Sequence, residues 1–372
     1  MNWWHIAKRE FRDMFITDKR RALFLFGASL AYLFLFALLY GAHTINAVPL
    51  VIYDEDQTQF SRSLLQGFED SERFQIIGYV TSEVDMEQIL REKEAAAAIH
   101  IPKKFAQDAK SGRSATVLLI ADGANILITN TVTNASQEIV ATFAKETAAG
   151  LTEINSGQLP SLALNKVSPV DFRLRVLNNP TQSYLTFFVL GLAMAAFQQG
   201  VFLAVGASIQ SEYQRPDELK NASPLTRMTG KLLPYWLAAT VAFLVTISVA
   251  VHFFAIPGKA SIISLVLLAS AFILAATGFS AFVAAVCNNE LTFTGISIAY
   301  TVPAFVLSGY TWPQAAMDTV LSYAFPLTYF ADTVRELMLA GYSPALYLNC
   351  FVLLFMGIAF TGLATVCFSK RL

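Results

Sequence analysis

The chain has 372 residues, of which 55% are hydrophobic, only 14% are charged and 30 are Phe. Soluble domains carry about 25% charged residues, so this composition excludes a disordered chain and argues against an ordinary soluble enzyme. A net charge of −1 gives nucleic acid no basic surface. Three Cys, with no CxxC and no Cys/His cluster, exclude a disulfide scaffold and argue against a zinc site.

Residues 1–21 are amphipathic. On a helical wheel Trp3, Trp4, Ala7, Phe11, Met14 and Phe15 share one arc, with His5, Arg9, Glu10, Arg12 and Asp13 away from it. Trp and Phe beside basic residues predict a cytoplasmic helix lying among lipid headgroups; a plain positively charged flank is the alternative. A bilayer core needs roughly 20 apolar residues as helix. Residues 22–42, 185–208, 232–254, 262–286, 291–309 and 346–368 answer this, which predicts six transmembrane helices. The first is too long for a signal-peptide core and reads as an uncleaved anchor.

Lys and Arg near the span ends set the orientation. Twelve lie on one side, before residue 22, in the loop 209–231 and in the tail; the short loops opposite hold only Lys259 and Arg335. Both termini are therefore expected in the cytoplasm. Residues 43–184 then lie outside, with 12 basic and 17 acidic residues and no Cys.

That segment alternates between the two periodicities. Strands are expected at 48–53, 74–80, 95–101 and 116–121, and helices at 61–68, 84–94, 104–111 and 126–154. Strands interleaved with helices imply an α/β domain. Residues 160–180 read as a linker back to the membrane. Asp54, Glu55 and Asp56 form an acidic run at a strand end. Such a run holds a cation or shapes a turn by capping; the spacing lacks the glycine and the later ligands of an EF-hand. The fold class is thus an α-helical polytopic membrane protein with an inserted extracytoplasmic α/β domain.

Within the membrane, Gln198 and Gln199 are the most polar adjacent pair. They are candidates for lining a conduit or for tying helices together. His252 falls near the outer end of its span. Residues 310–345 are aromatic but carry Asp318, Asp332, Arg335 and Glu336, too polar to cross. Pro313, Pro326 and Pro344 break helices there, which predicts two short helices dipping back into the outer leaflet, with a surface loop as the alternative.

The longest cytoplasmic loop, 209–231, contains Glu212, Arg215, Pro216, Glu218, Pro224 and Lys231. Pro216 suits the first turn of a short charged helix that Pro224 ends or kinks. The spacing Glu212, Arg215, Glu218 places two carboxylates about one guanidinium on a single face. This loop resembles the coupling segment of bacterial ABC-2-type exporter permeases, which read close to Glu-x-x-Arg-Gly-Thr-x-Glu-x-Leu, then Thr-Pro, then Gly-Lys. Here stand Glu212, Arg215 and Glu218, then Ser223 and Pro224, then Gly230 and Lys231; Pro216 replaces the family's glycine. Other stretches agree. Val51 to Asp56 with Ser61 and Arg62, then Ala98 to Pro102 with Phe105, Asp122 and Gly123, resemble the family's outer domain. Leu307 to Tyr310, Pro313 and Pro326 to Phe330, with Tyr329 among them, resemble its last outer segment.

The resemblance, to the drug-efflux-like subgroup with a large outer domain, implies a permease for a hydrophobic or amphipathic compound. It assigns ATPase coupling to Glu212, Arg215, Glu218, Pro224 and Lys231, and an outer gate to the hairpin carrying Pro313, Pro326 and Tyr329. No phosphate-cradling P-loop is present, because Gly230-Lys231 runs straight into a span. No cofactor is expected in this chain, and ATP and magnesium belong to a separate cytoplasmic ABC ATPase. A second permease copy or paralogue, membrane lipids and a periplasmic adaptor complete the expected partners. The rival reading is a membrane-anchored sensor or assembly factor whose outer domain binds a ligand.

Overall fold

A computed structural model describes residues 2–41, 45–111, 113–121, 123, 126–156, 178–179, 183, 185–215, 222–312, 317 and 320–371. The chain divides into two compact units, Met1–His43 with Val176–Leu372, and Thr44–Arg175.

The larger unit is helical. It contains α1 (Trp3–Arg12), α2 (Lys19–Leu39), α7 (Leu185–Glu212), α8 (Pro224–Phe254), α9 (Ile262–Val286), α10 (Glu290–Val306), α11 (Pro326–Ala340) and α12 (Leu346–Arg371). Five of these, α2, α7, α8, α9 and α12, are long and apolar enough to cross a membrane. The sixth expected span is shorter than 291–309: α10 has 17 residues, about 25 Å of rise against a core of about 30 Å. Pro303 removes an amide donor near its end, and Gly309 turns the chain at φ 82°.

The central element is α7, 78% of whose apolar stretch is buried, against 22% for α2 and α12. Its sequence explains this: a helix that is apolar all round has no face for water, and its many Gly and Ala let neighbours close in. A Cβ on Gly200 would stand 2.3 Å from the Phe24 carbonyl oxygen. That carbonyl lies in a π-helical turn, Leu23–Gly27, of α2. Any side chain at 200 therefore forces α2 and α7 apart.

The smaller unit carries β1 (Val48–Asp54), α3 (Gln59–Glu69), β2 (Phe74–Val80), α4 (Glu83–Arg91), β3 (Ala97–Ile101), α5 (Phe105–Lys110), β4 (Leu118–Ala121) and α6 (Ile126–Ser156). These are the expected strands and helices in the expected order. The strand order is β2-β1-β3-β4, with β1 parallel to both neighbours and β4 antiparallel to β3. Central β1 buries Leu50 and Ile52 on one face and Val51 on the other, as a strand covered on both sides must. Leu64, Leu65 and Phe68 of α3 cover the first face and Met86 of α4 the second.

The acidic run after β1 is a capped turn. Asp54 accepts from the Asp56 and Gln57 amides at 3.0 and 3.1 Å and from the Ser61 hydroxyl at 2.7 Å. Thr58 and Ser61 close a capping box on α3.

Candidate functional site

Lys231 is wholly buried, and an unpaired ammonium at such depth is prohibitively costly. Its placement follows from how α8 begins. Ser223 caps the helix through the Thr226 amide at 3.3 Å, and Pro224 occupies the first turn, where its missing N–H costs nothing. Pro224 thus opens α8; residues 216–221, where the short charged helix is expected, lie outside the described residues. The helix starts eight residues before the expected span at 232, so Lys231 lies two turns inside it.

Two carboxylates meet that ammonium. Lys231 Nζ donates to Glu10 Oε1 at 2.5 Å and to Glu212 Oε2 at 2.8 Å. Arg9 donates to the same Glu212 oxygen at 2.6 Å and lies 3.4 Å from Glu10. On the far side of Glu10, Oε2 accepts from Ser208 at 2.8 Å and from Tyr235 at 3.4 Å, and Arg21 stands at 3.5 Å. Arg21 also donates to the Tyr235 hydroxyl at 3.1 Å, to Ser211 at 2.9 Å and to Asp18 at 3.2 Å. Three carboxylates (Glu10, Asp18, Glu212) thus face three cations (Arg9, Arg21, Lys231), contributed by α1, α2, α7 and α8 and the turn before α2. Burial pushes the Glu10 carboxyl up, but Lys231, with Arg21 and Ser208, outweighs it and holds the group below its ordinary 4.5.

The arrangement differs from the one the spacing implies. Glu212 turns inward to Lys231 instead of flanking Arg215. Arg215 is half exposed, and among the described residues its carboxylate partner is Asp13, at 4.0 Å. Glu218 lies outside the described residues. Burial decides the outcome: the last turn of α7 packs Glu212 against α1 and α8, where only an ion pair compensates its lost hydration.

The same pairing fixes which part of α1 the protein buries. Glu10 and Asp13 of the polar side are buried together with Ala7 and Met14, while Trp3, Trp4, Phe11 and Phe15 of the apolar arc are exposed, Trp4 at 65% and Phe11 at 55%. The face toward the protein is the one that finds counter-ions.

A second cluster caps the carbonyl end of α9. Gln210 donates to Ala284 O at 2.6 Å and Cys287 O at 3.0 Å, and the Tyr213 hydroxyl to Ala285 O at 3.2 Å. Arg371 donates to the Ala285, Cys287 and Asn288 carbonyls and lies 4.2 Å from the Tyr213 ring centre. These groups satisfy the orphan carbonyls of a helix end and its negative dipole. In the sequence Arg371 is only a tail charge, and no local pattern points to its partners.

At the opposite end of α7, Tyr310 seats on Gly191, where a Cβ would stand 2.2 Å from its ring. The Arg335 guanidinium of α11 lies 4.6 Å from the Tyr310 ring centre and 4.9 Å from that of Phe187, and pairs with Asp332. Pro326 opens α11, and Tyr329 donates to Tyr323 O at 2.9 Å. The expected pair of short helices is, among the described residues, a 3-10 turn, Leu321–Ala324, followed by fifteen residues of α11. Pro313 lies outside the described residues. Gln199 accepts from Ser297 at 3.3 Å and from Thr301, so it ties α7 to α10. Gln198 is wholly buried, and its amide nitrogen and oxygen have no partner among the described residues.

Residues 20–366 match the family described as ABC-2 family transporter protein. The chain is 24% identical over 377 residues to the probable multidrug ABC transporter permease YbhR of Escherichia coli strain K12, covering 99% of this chain and 98% of that one. It is 25% identical over 256 residues to the probable multidrug ABC transporter permease YbhS of the same organism, covering 65% and 67%.

Proposed function

The chain belongs to the ABC-2 family of transporter proteins, and from this premise we propose that it is the permease subunit of an ATP-driven exporter. The cargo is a hydrophobic or amphipathic compound taken from the cytoplasm or the inner leaflet. Both similar Escherichia coli proteins are named multidrug permeases, which supports that class. The energy comes from a separate cytoplasmic ATPase holding ATP and magnesium. Two permease halves, identical or paralogous, form the conduit in the inner membrane, in contact with its lipids. Each half crosses six times, the short α10 included, with both termini in the cytoplasm and the sheet-bearing unit outside. A periplasmic adaptor is a further candidate partner.

The observation that carries the coupling assignment is the buried ion cluster about Lys231. The loop between α7 and α8 is where an ATPase would push. Glu212 at one end of that loop is bonded to Lys231 near the other, and Lys231 is bonded in turn to Glu10 of α1. A displacement of the loop is then shared by α1, α7 and α8 as one rigid piece instead of dissipating in a hinge. Gln198, a buried amide without a partner among the described residues, is the better candidate of the two glutamines for the conduit.

The test is reconstitution of the chain with its partner ATPase in vesicles. Glu212→Gln keeps the shape but removes the charge, and is expected to abolish most transport and most permease-stimulated ATP hydrolysis while the ATPase still binds. Parental transport by this variant would disprove the coupling role. The orientation is tested separately: a cysteine replacing Ser111 is expected to be labelled from outside intact cells, and one replacing Leu225 only after permeabilisation.

A further inference from the structure

The smaller unit has a crevice that the transport reading does not use. The chain leaves β1 toward α3 on one face of the sheet and leaves β2 toward α4 on the other. The carboxyl ends of these two parallel strands are therefore not bridged by one loop layer, and a cavity of about 490 Å³ opens between them and α3. That volume suits a small ligand, and the carboxyl ends of strands are where open α/β sheets bind theirs.

Its chemistry narrows the class. Of nine lining residues only Leu65 and Val80 are aliphatic, which disfavours an apolar drug. Arg62 is the single cation, against the carboxylates of Asp54 and Glu69, which disfavours a phosphate or nucleotide. Asp54 is spent on the turn, and one Glu69 oxygen accepts from the Tyr79 hydroxyl at 2.6 Å, so an organic cation finds little free negative charge and Arg62 beside it. What remains is planar and hydrogen-bonding. The side chains of Gln57, Gln66 and Thr81 bond to nothing among the described residues, and Arg62 bonds only to the Gln57 carbonyl, at 3.2 Å. Tyr79 leaves more than half of its surface open, with its hydroxyl tethered, so its position is fixed and its ring face is available. Arg62 and Glu69 are two turns apart on α3, about 10 Å along its axis, close to the length of a disaccharide.

We propose that this crevice binds a saccharide, with a sugar ring against Tyr79 and its hydroxyls paired to Gln57, Arg62, Gln66, Glu69 and Thr81. Each of those side chains offers a donor, an acceptor or both, as a hydroxyl needs. The site is indifferent to whether the chain transports anything. A free sugar and a glycolipid headgroup present the same chemistry.

The experiment uses the full chain in lipid nanodiscs, without the glucoside and maltoside detergents that would occupy the site. Maltose, cellobiose and diacetylchitobiose are titrated in solution by calorimetry and saturation-transfer NMR, and a diglucosyl lipid is placed in the disc in a second arm. Saturable binding with a Kd of about 1 mM or tighter is expected in at least one arm. The soluble arm points to a free glycan and the lipid arm alone to a headgroup. Tyr79→Ala is expected to weaken binding about tenfold and Gln66→Leu about threefold, with unfolding midpoints unchanged because both residues are exposed. No saturable binding in either arm, binding unmoved by both substitutions, or tighter binding of a glycyl-lysine dipeptide than of any saccharide overturns the proposal.

Discussion

The two ends of α7 are held by different physics. At Glu212 the helix end is fixed by buried ions: one ammonium, two guanidiniums and three carboxylates share hydrogen bonds across four segments of the chain. At Gly191 it is fixed by shape, a tyrosine ring seated in a notch with one arginine laid across it. Buried ions demand one geometry, since any displacement leaves a charge without water and without a partner. Ring contacts lose energy gradually and reform in a shifted position. In the proposed exporter, the first end is expected to move as a block and the second to part and close again.

The largest way to break this contrast is Lys231→Met. It leaves Glu10 and Glu212 facing each other with less compensation, and the expected loss is about 3–5 kcal/mol of stability, read from the unfolding midpoint in detergent. Glu10→Gln in the same chain is expected to recover part of that loss. A coupling below about 0.5 kcal/mol between the two substitutions would mean that the cluster does not act as a unit.

The cluster also predicts a pH profile. The Glu10 carboxyl is lowered in the folded protein, so its stabilisation is present above the ordinary carboxylate value of 4.5 and is lost as pH falls through the lowered folded-state value. Unfolding midpoints are expected to owe no slope to Glu10 between pH 5.5 and 8. The acid limb is expected to shrink in Glu10→Gln. An unchanged acid limb would show that Glu10 titrates alike in the folded and unfolded chain.

At the other end, Gly191→Ala puts a methyl into the Tyr310 ring and is expected to cost about 1–3 kcal/mol by overpacking. Arg335→Gln removes the cation over two rings, a loss of about 0.5–2 kcal/mol. In the proposed exporter both are expected to loosen the outer closure, seen as faster labelling of a cysteine at Thr311. Slower or equal labelling would place the closure elsewhere.

These residues differ in how far a sequence announces them. The strands and helices of the smaller unit show in their alternation, because each face of β1 meets a different core, and α3 and α4 begin with the caps Thr58 and Ser82. The long spans show in their hydropathy. The start of α8 does not, since hydropathy rises only at Leu232 whereas Ser223 and Pro224 begin the helix. The buried face of α1 is the deepest omission. Amphipathicity sets the Trp and Phe arc toward lipid but does not say what the polar side meets; that side is held inward by Lys231, 221 residues from Glu10. The motif singles out Glu212 and Lys231 but carries no sign that they bond to each other. Arg371 and Gln210 make sense only once the open carbonyls of α9 are placed beside them.

The smallest stability effect is expected at Arg215, and it bears most directly on the contrast. Its side chain is 53% exposed and its ion pair with Asp13, at 4.0 Å, is long. A pair of this kind contributes about 0–1 kcal/mol, so Arg215→Ala should leave folding and membrane expression nearly unchanged. If the Glu212 end is a rigid block, the residue just beyond it sits where a partner's push enters that block. Transport and permease-stimulated ATP hydrolysis should then fall strongly while Lys231, Glu10 and Glu212 remain paired. Arg215→Lys keeps the charge without the fork and should restore part of the activity if the contact is ionic. Full activity in Arg215→Ala would move the point of contact off this residue. A loss of activity matched by an equal loss of stability would make Arg215 part of the cluster itself, and the boundary of the block would then lie beyond residue 215.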